Sequence, residues 1–187
     1  MIVVKVGGGL LAQAGRLDAV LAEVALASRQ MPLIVVPGGG PFADAVRELD
    51  RRVGLSDDAA HWMAVLAMDQ YAHVIVDRLV DGALVTGPSE IERARASGRV
   101  PVLAPYRWLR EADPLPHSWD VTSDSIAAWV AGQVGGRHLV LVKPADATGS
   151  SLVDPHFPRA LLDHVTSETI PADRIEELRA ALRAGRV

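Results

Sequence analysis

The sequence predicts an α/β domain in which a mainly parallel sheet lies between helices. Three observations carry that prediction. An apolar run, three glycines and a helical pattern follow one another twice within the first 53 residues. Two further short apolar runs, 100–103 and 139–142, each come after a helical pattern. All four runs are rich in Val, Ile and Leu, as parallel strands buried on both faces are. In such sheets ligands bind at the carboxyl ends of the strands, which directs attention to the residues that close each run.

The first run, Val3-Val4-Lys5-Val6, delivers a lysine to the loop Gly7-Gly8-Gly9. Glycines there let the backbone turn tightly and bring bare N–H groups close to an anion, and a lysine ammonium is a compact charge suited to phosphate. Leu17, Val20, Leu21 and Val24 keep helical spacing over 16–28, and Pro32 closes that segment. Leu33-Ile34-Val35-Val36 is the second strand, stopping at Pro37-Gly38-Gly39-Gly40-Pro41. Pro41 suits the first turn of the next helix, whose expected buried face is Phe42, Ala45, Val46, Leu49 and Val53. Ser56 reads as an N-cap, with Asp57 and Asp58 in the first turn of a long helix through Ala60, Met63, Ala64, Ala67, Tyr71 and Val74. Its many small and apolar residues predict burial on more than one side, with a subunit interface and hence a homo-oligomer, dimer or higher.

Leu84-Val85 is a short strand, 88–97 a short helix closed by Gly98, and 100–103 a strand in which Pro101 predicts an early or edge position. Residues 105–119 are rich in Pro, Trp and charge without periodicity, and are expected to form a loop placed to cover a site. Thr122-Ser123-Asp124 opens a helix to about Gln133, and Leu139-Val140-Leu141-Val142 is a strand ending at Lys143-Pro144-Ala145-Asp146. From Pro171 onward, Ile175, Leu178 and Leu182 space a final amphipathic helix. With no repeat beyond the paired glycine loops and no linker, residues 1–187 are expected to form one domain.

Composition removes several function classes. A hydrophobic fraction of 49% is ample for a core, yet no segment is apolar for the ~18 residues a membrane span needs. The start lacks a basic segment followed by an apolar one, which argues against a secreted precursor. Zero cysteines exclude thiol catalysis, thiolate metal sites and disulfides, and fit a cytoplasmic location. A formal charge of −4 without a basic block argues against nucleic-acid binding. Lysine usage is more informative: Lys5 and Lys143 stand against 17 arginines (19 Lys+Arg minus 2), and both sit at strand-like runs. A codon bias explains the arginines but not the placement of the two lysines, which points to phosphate chemistry.

In a doubly wound sheet three strand ends converge: Lys5 with Gly7, Gly8 and Gly9; Gly38, Gly39 and Gly40; and Lys143 with Asp146. The helix start at Thr122, Ser123 and Asp124 adds free N–H groups that attract phosphate. Phosphoryl transfer needs cations beside the migrating group, backbone donors for its oxygens, and little else. An aspartate between two lysines would hold them in position, and Asp124 is the candidate. Plainer readings stand beside this. A single Gly-Gly-Gly is often only a tight turn, and Asp124 can serve merely to balance a helix dipole. Asp57 and Asp58 suit capping, His61 a helix face, and Trp62, Trp108, Trp119 and Trp129 packing. A dinucleotide site is disfavoured because the second strand ends in Val36-Pro37, without the required acidic residue. Neither a P-loop nor an H-E-x-x-H zinc motif is present.

Val4-Lys5-Val6-Gly7-Gly8, Pro37-Gly38-Gly39-Gly40, Thr122-Ser123-Asp124-Ser125 and Val142-Lys143-Pro144-Ala145-Asp146 resemble, in order and over 2 to about 150, the motifs of the amino acid kinase family. That family includes acetylglutamate, aspartate, uridylate and isopentenyl phosphate kinases. The resemblance implies a three-layer αβα sandwich and an ATP-dependent phosphotransferase using Mg²⁺. By it, Lys5 and Lys143 would stabilise the transferring phosphoryl and Asp124 would orient both. Gly7, Gly8, Gly9, Thr122, Ser123 and Asp146 would hold the nucleotide phosphates, and Gly38, Gly39 and Gly40 would meet a small-molecule phosphate acceptor. Within the family, Asp57-Asp58-Ala59-Ala60-His61-Trp62-Met63 and Ala67-Met68-Asp69-Gln70-Tyr71 resemble the small kinases of methanofuran biosynthesis. Those convert an aminomethyl-furanmethyl phosphate to its diphosphate. From their place before the long helix, Asp57, or Asp58 beside it, is the candidate to meet the substrate amine, and His61 is the candidate for a furan or phosphate contact. The chain departs from the family where Asp146-Ala147 replaces an Asp-Gly pair, and it is short after Lys143, where larger relatives build much of the adenine pocket. Acceptors such as an amino acid or a nucleoside or isoprenoid phosphate remain open, as does noncatalytic binding of a nucleotide or oxyanion. Storage, however, needs no lysine pair around an aspartate.

Overall fold

The computed structural model describes residues 1–145 and 152–184. In chain order the elements are β1 (Ile2–Val6), α1 (Arg16–Ser28), β2 (Leu33–Pro37), α2 (Gly40–Val53), α3 (Asp57–Arg78), β3 (Gly82–Val85) and α4 (Pro88–Ala96). They continue with β4 (Val100–Leu103), α5 (Tyr106–Ala112), α6 (Ser123–Gln133), β5 (His138–Lys143), α7 (Phe157–Ala160), β6 (Thr166–Pro171) and α8 (Ile175–Ala184). A 3-10 turn, Gly8–Ala12, follows β1.

The strands form one sheet in the order β3-β4-β2-β1-β5-β6, and every neighbouring pair is parallel. The all-apolar runs therefore lie where both faces are covered, as a parallel sheet requires. Strand alternation divides the core. Ile2, Val4 and Val6 face α1, the second half of α3 and α8, whereas Val3 faces α4, α5, α6 and the first half of α3. Lys5 has the parity of Val3, so its side chain leaves the sheet on the α6 side.

Several expectations need correction. Leu49 and Val53 of α2 are 40% and 61% exposed and Ala45 is exposed, while Ala43 and Val46 are buried. The apolar spacing on α2 is real, but α3 covers only a narrow stripe of it. Of the early or edge position read from Pro101, the early one holds, Pro101 being the second residue of β4, and the edge one does not, since β4 lies between β3 and β2. Pro101 is tolerated because β4 pairs with β2 only at Val35–Val102, so few ladder bonds are at stake. Segment 105–119 is not a plain loop, since it contains α5. Strand β6 went unpredicted because its sequence, Thr-Ser-Glu-Thr-Ile-Pro, is mostly polar, as suits an outer strand. The apolar length of α3 is used within one chain: Trp62, Val65 and Met68 join one core and Tyr71, Ala72 and Ile75 the other. Its composition thus carries no separate argument for a subunit interface. Among the described residues no helix is long and apolar enough to cross a membrane.

Candidate active site

Because β2, β1 and β5 are adjacent, the loops that follow them lie side by side. Gly7 N donates to Val142 O at 2.8 Å and Gly38 N to Val6 O at 2.8 Å, which extends the ladder past the strand ends. The two glycine loops then touch backbone to backbone. A Cβ on Gly8 would stand 2.0 Å from Gly40 N, and Gly40 itself has φ +56°, so neither position has room for a side chain. Tyr71, buried on α3, donates its hydroxyl to Gly7 O at 3.3 Å.

Behind the loops stands a buried ion cluster. Lys143 Nζ donates to Asp124 Oδ2 at 2.5 Å, and Lys5 Nζ lies 2.9 Å from Asp124 Oδ1. The Lys5 contact is out of line for a hydrogen bond, which leaves Oδ1 with an ion pair alone. Lys5 and Asp124 are 4% and 3% exposed. Burial opposes the charge of Asp124, but the two ammoniums outweigh it and hold its carboxyl below the usual range. Burial, with repulsion from Lys5, lowers the Lys143 pKa against the pull of Asp124.

Thr122 is the N-cap of α6, its Oγ1 accepting from Asp124 N at 3.3 Å. The expectation of free N–H groups at this helix start holds only in part. The N–H groups of Thr122 and Ser125 go instead to Asp154 Oδ2, at 2.9 and 3.0 Å. Asp154 escaped the sequence reading, whose only hint was a turn-forming Asp154-Pro155 pair.

Lys5, Lys143, Asp124, Gly8, Gly9, Gly39, Gly40, Thr122, Ser123, Asp57 and His61 line one cleft of about 320 Å³. Gly7 and Gly38 are buried and do not line it. Asp146 and Ala147 fall outside the described residues. Asp44, Arg47, Asp57 and Trp119 line the same cleft as the lysines and the glycine loops. Trp119 Nε1 donates to Asp50 Oδ2 at 2.8 Å, and Arg47 lies 4.9 Å from its ring centroid. His117, two residues earlier, lies flat on His61 with centroids 4.3 Å apart, its Nδ1 2.9 Å from Asp58 Oδ1 and its Nε2 2.8 Å from Asp113 Oδ1. The segment after α5 is thereby strapped to both α2 and α3 and forms a cleft wall, a role that sequence spacing left invisible. Burial and the neighbouring His117 depress the His61 pKa to about 4, so this histidine is neutral at pH 7.

Residues 1–147 match the amino acid kinase family. The [5-(aminomethyl)furan-3-yl]methyl phosphate kinase of Methanocaldococcus jannaschii is 28% identical over 177 residues, covering 84% of this chain and 81% of that protein. Among solved structures, uridylate kinase from Archaeoglobus fulgidus superposes with a TM-score of 0.73 at 16% identity, over 97% of this chain and 95% of its own. An isopentenyl phosphate kinase superposes with a TM-score of 0.64 at 18% identity, over 100% and 98%. At such identities the two superpositions speak for the fold alone, that of an all-parallel sheet flanked by helices.

Proposed function

The chain belongs to the amino acid kinase family, and on that premise we propose that it transfers the γ-phosphoryl of ATP to a small acceptor already bearing a phosphate, with an aminomethyl-furanmethyl phosphate as first choice. The observation that carries the kinase reading is the Lys5–Asp124–Lys143 cluster at the edge of the cleft. Two ammoniums share one carboxylate, so one positive charge is left over in a nearly dry place. Buried charge is unfavourable without a partner, and a migrating phosphoryl group is the partner this geometry suits.

The residues present fit a nucleotide triphosphate. Gly8, Gly9, Gly39 and Gly40 line the cleft without side chains, so backbone rather than side chain would meet phosphate oxygens there. Gly8 and Gly9 would hold the donor's phosphates together with Ser123, whose N–H is not taken by Asp154, and Gly39 and Gly40 would hold the acceptor's. Mg²⁺, when bound, neutralises charge on the nucleotide phosphates and is typically held by those phosphates with one or two carboxylates. Lys5 and Lys143 flank the migrating group and stabilise charge on its oxygens while Asp124 keeps the two apart. An acceptor phosphate oxygen forms the new bond to phosphorus as the bond to the ADP oxygen breaks. An ionised phosphate acceptor has no proton to remove, so transfer to it asks for no general base.

The furan acceptor is favoured by the methanofuran-type relative and by the cleft's chemistry. The two lysines suit a phosphate, His61 and Trp119 suit a flat ring, and Asp57 suits an ammonium. The test is ADP release from Mg-ATP with a panel of phosphorylated acceptors. Turnover on the furan compound alone supports the full reading. Turnover on a nucleoside or isoprenoid phosphate instead keeps the kinase and replaces the acceptor. No turnover, with ATP still raising the melting temperature, moves the assignment to a noncatalytic binding protein.

A further inference from the structure

Five hydrogen bonds converge on one carboxylate behind the lysine–aspartate–lysine cluster, and phosphoryl transfer as derived above gives that carboxylate no part. Asp154 is 7% exposed. Its Oδ2 accepts from Thr122 N at 2.9 Å, Thr122 Oγ1 at 2.8 Å and Ser125 N at 3.0 Å. Its Oδ1 accepts from Ser125 Oγ at 2.5 Å and Phe157 N at 2.8 Å. Four of the five donors thus belong to the two residues that bracket Ser123 and Asp124. A buried carboxylate satisfied at both oxygens is held in one place, and it holds its donors in turn.

We infer that Asp154 is the positioning residue of Asp124: by fixing Thr122 and Ser125 it sets the first turn of α6, and with it the place of the Asp124 carboxylate between the two lysines. Helix ends otherwise fray, and among the described residues the other holds on this first turn are the Thr122 cap, whose bond to Asp124 N is 3.3 Å long, and the two lysines that Asp124 must itself reach. Placement matters here because Asp124 must reach Lys5 from β1 and Lys143 from β5 at once. The catalytic consequence rests on the phosphoryl-transfer reading; the positioning itself does not.

The chain's lysine content supplies a readout that needs no activity. Lys5 and Lys143 are the only lysines, so ¹³Cε-lysine labelling gives two signals whose titration follows each ammonium. The charged groups facing Lys143 are Lys5 and Asp124, with Asp44, Arg47 and Asp57 bordering the same cleft and His61 neutral. When Asp124 swings away, Lys143 loses its counter-charge and keeps its burial, so its midpoint falls. In Asp154→Asn the Lys143 midpoint should drop by about one pH unit. If phosphoryl transfer is the activity, kcat should also fall about 10²-fold, with the KM for ATP little changed. Ser125→Ala removes one bond to Asp154 while keeping its charge, and it serves if Asp154→Asn does not fold. The Lys143 midpoint should drop there too, by less. A midpoint unchanged in Ser125→Ala, whether or not Asp154→Asn moves it, would overturn the inference, since only a loss of nearby charge would remain. A wild-type protein that transfers no phosphoryl group would end the kinase reading, and the lysine titration would still decide the positioning.

Discussion

Two ammoniums around one carboxylate set a sharp requirement on each member. On the proposed reading each ammonium acts on charge that develops in transfer, so Lys5→Ala or Lys143→Ala should lower kcat by about 10²–10³-fold. Lys143→Arg should not restore it, since a planar fork cannot replace a compact ammonium 2.5 Å from Asp124 Oδ2. ADP release under saturating substrates measures both, and near-normal rates in the alanine variants would refute the assignment. His61 makes a separate prediction about pH. Its folded pKa, about 4, lies below the unfolded value near 6.5. The unfolded chain therefore takes up a proton first, and stability that is complete above about pH 6.5 is lost as pH falls toward 4. In His61→Phe the melting temperature should fall less steeply across that window than in wild type; equal slopes would show that His61 does not titrate as described.

The glycine loops act as elements because each occupies the space the other's side chains would need. Gly8→Ala would place a methyl 2.0 Å from Gly40 N and must push the two loops apart. Gly54 is the contrast: its backbone is left-handed at φ +68°, which Gly8's is not, but nothing lies near its Cβ position, so Gly54→Ala should cost only about 1–2 kcal/mol. Thermal denaturation should rank Gly8→Ala well below Gly54→Ala, and Gly8→Ala should also lose ATP-induced stabilisation. The wall after α5 depends on Trp119. Trp119→Phe keeps a ring for Arg47 and removes the hydrogen bond to Asp50, so the acceptor KM should rise several-fold with kcat preserved. A change confined to kcat would mean that Trp119 serves the reacting centre rather than the wall.

At the scale of the molecule, the last elements close a sheet that the family match leaves at residue 147. Strand β6 pairs with β5 from His138–Thr166 to Lys143–Pro171, and α8 covers α1. That covering is clamped where Arg179 Nε and Nη2 donate to Glu23 Oε2 and Oε1 at 2.9 and 2.7 Å. The bonds from Arg179, against the opposing effect of burial, hold the Glu23 carboxyl below its usual range. Its contribution is therefore present at neutral pH and is lost on acidification through the lowered pKa. Glu23→Gln should lower the melting temperature at pH 7 by a few degrees, with the difference vanishing in acid. Removing the chain after residue 165 should leave β5 unpaired on one side and α1 bare, giving aggregated protein by size exclusion.

Much of this was legible in the sequence for a local reason. A buried parallel strand needs an unbroken apolar run, a tight phosphate-sized loop needs glycine, and a helix start needs a cap. Val3 to Val6, Gly7 to Gly9, Ser56 and Thr122 therefore announce themselves within a few residues. The solitary pair of lysines was legible too, because an arginine-rich chain makes them conspicuous. Other features were not local. The buried stripe of α2, the interior place of Pro101, and the stacking of His117 on His61 depend on which elements meet. The same holds for Asp154, a carboxylate that no nearby pattern sets apart. The sequence by itself determined five of the six strands and the glycine loops that follow two of them, since backbone periodicity and residue type act over a few positions. Only the tertiary structure decided that Lys5, Asp124 and Lys143 share one charge cluster with Asp154 behind it. The contacts among these residues join separate parts of the chain, and their distances exist only once the sheet has formed.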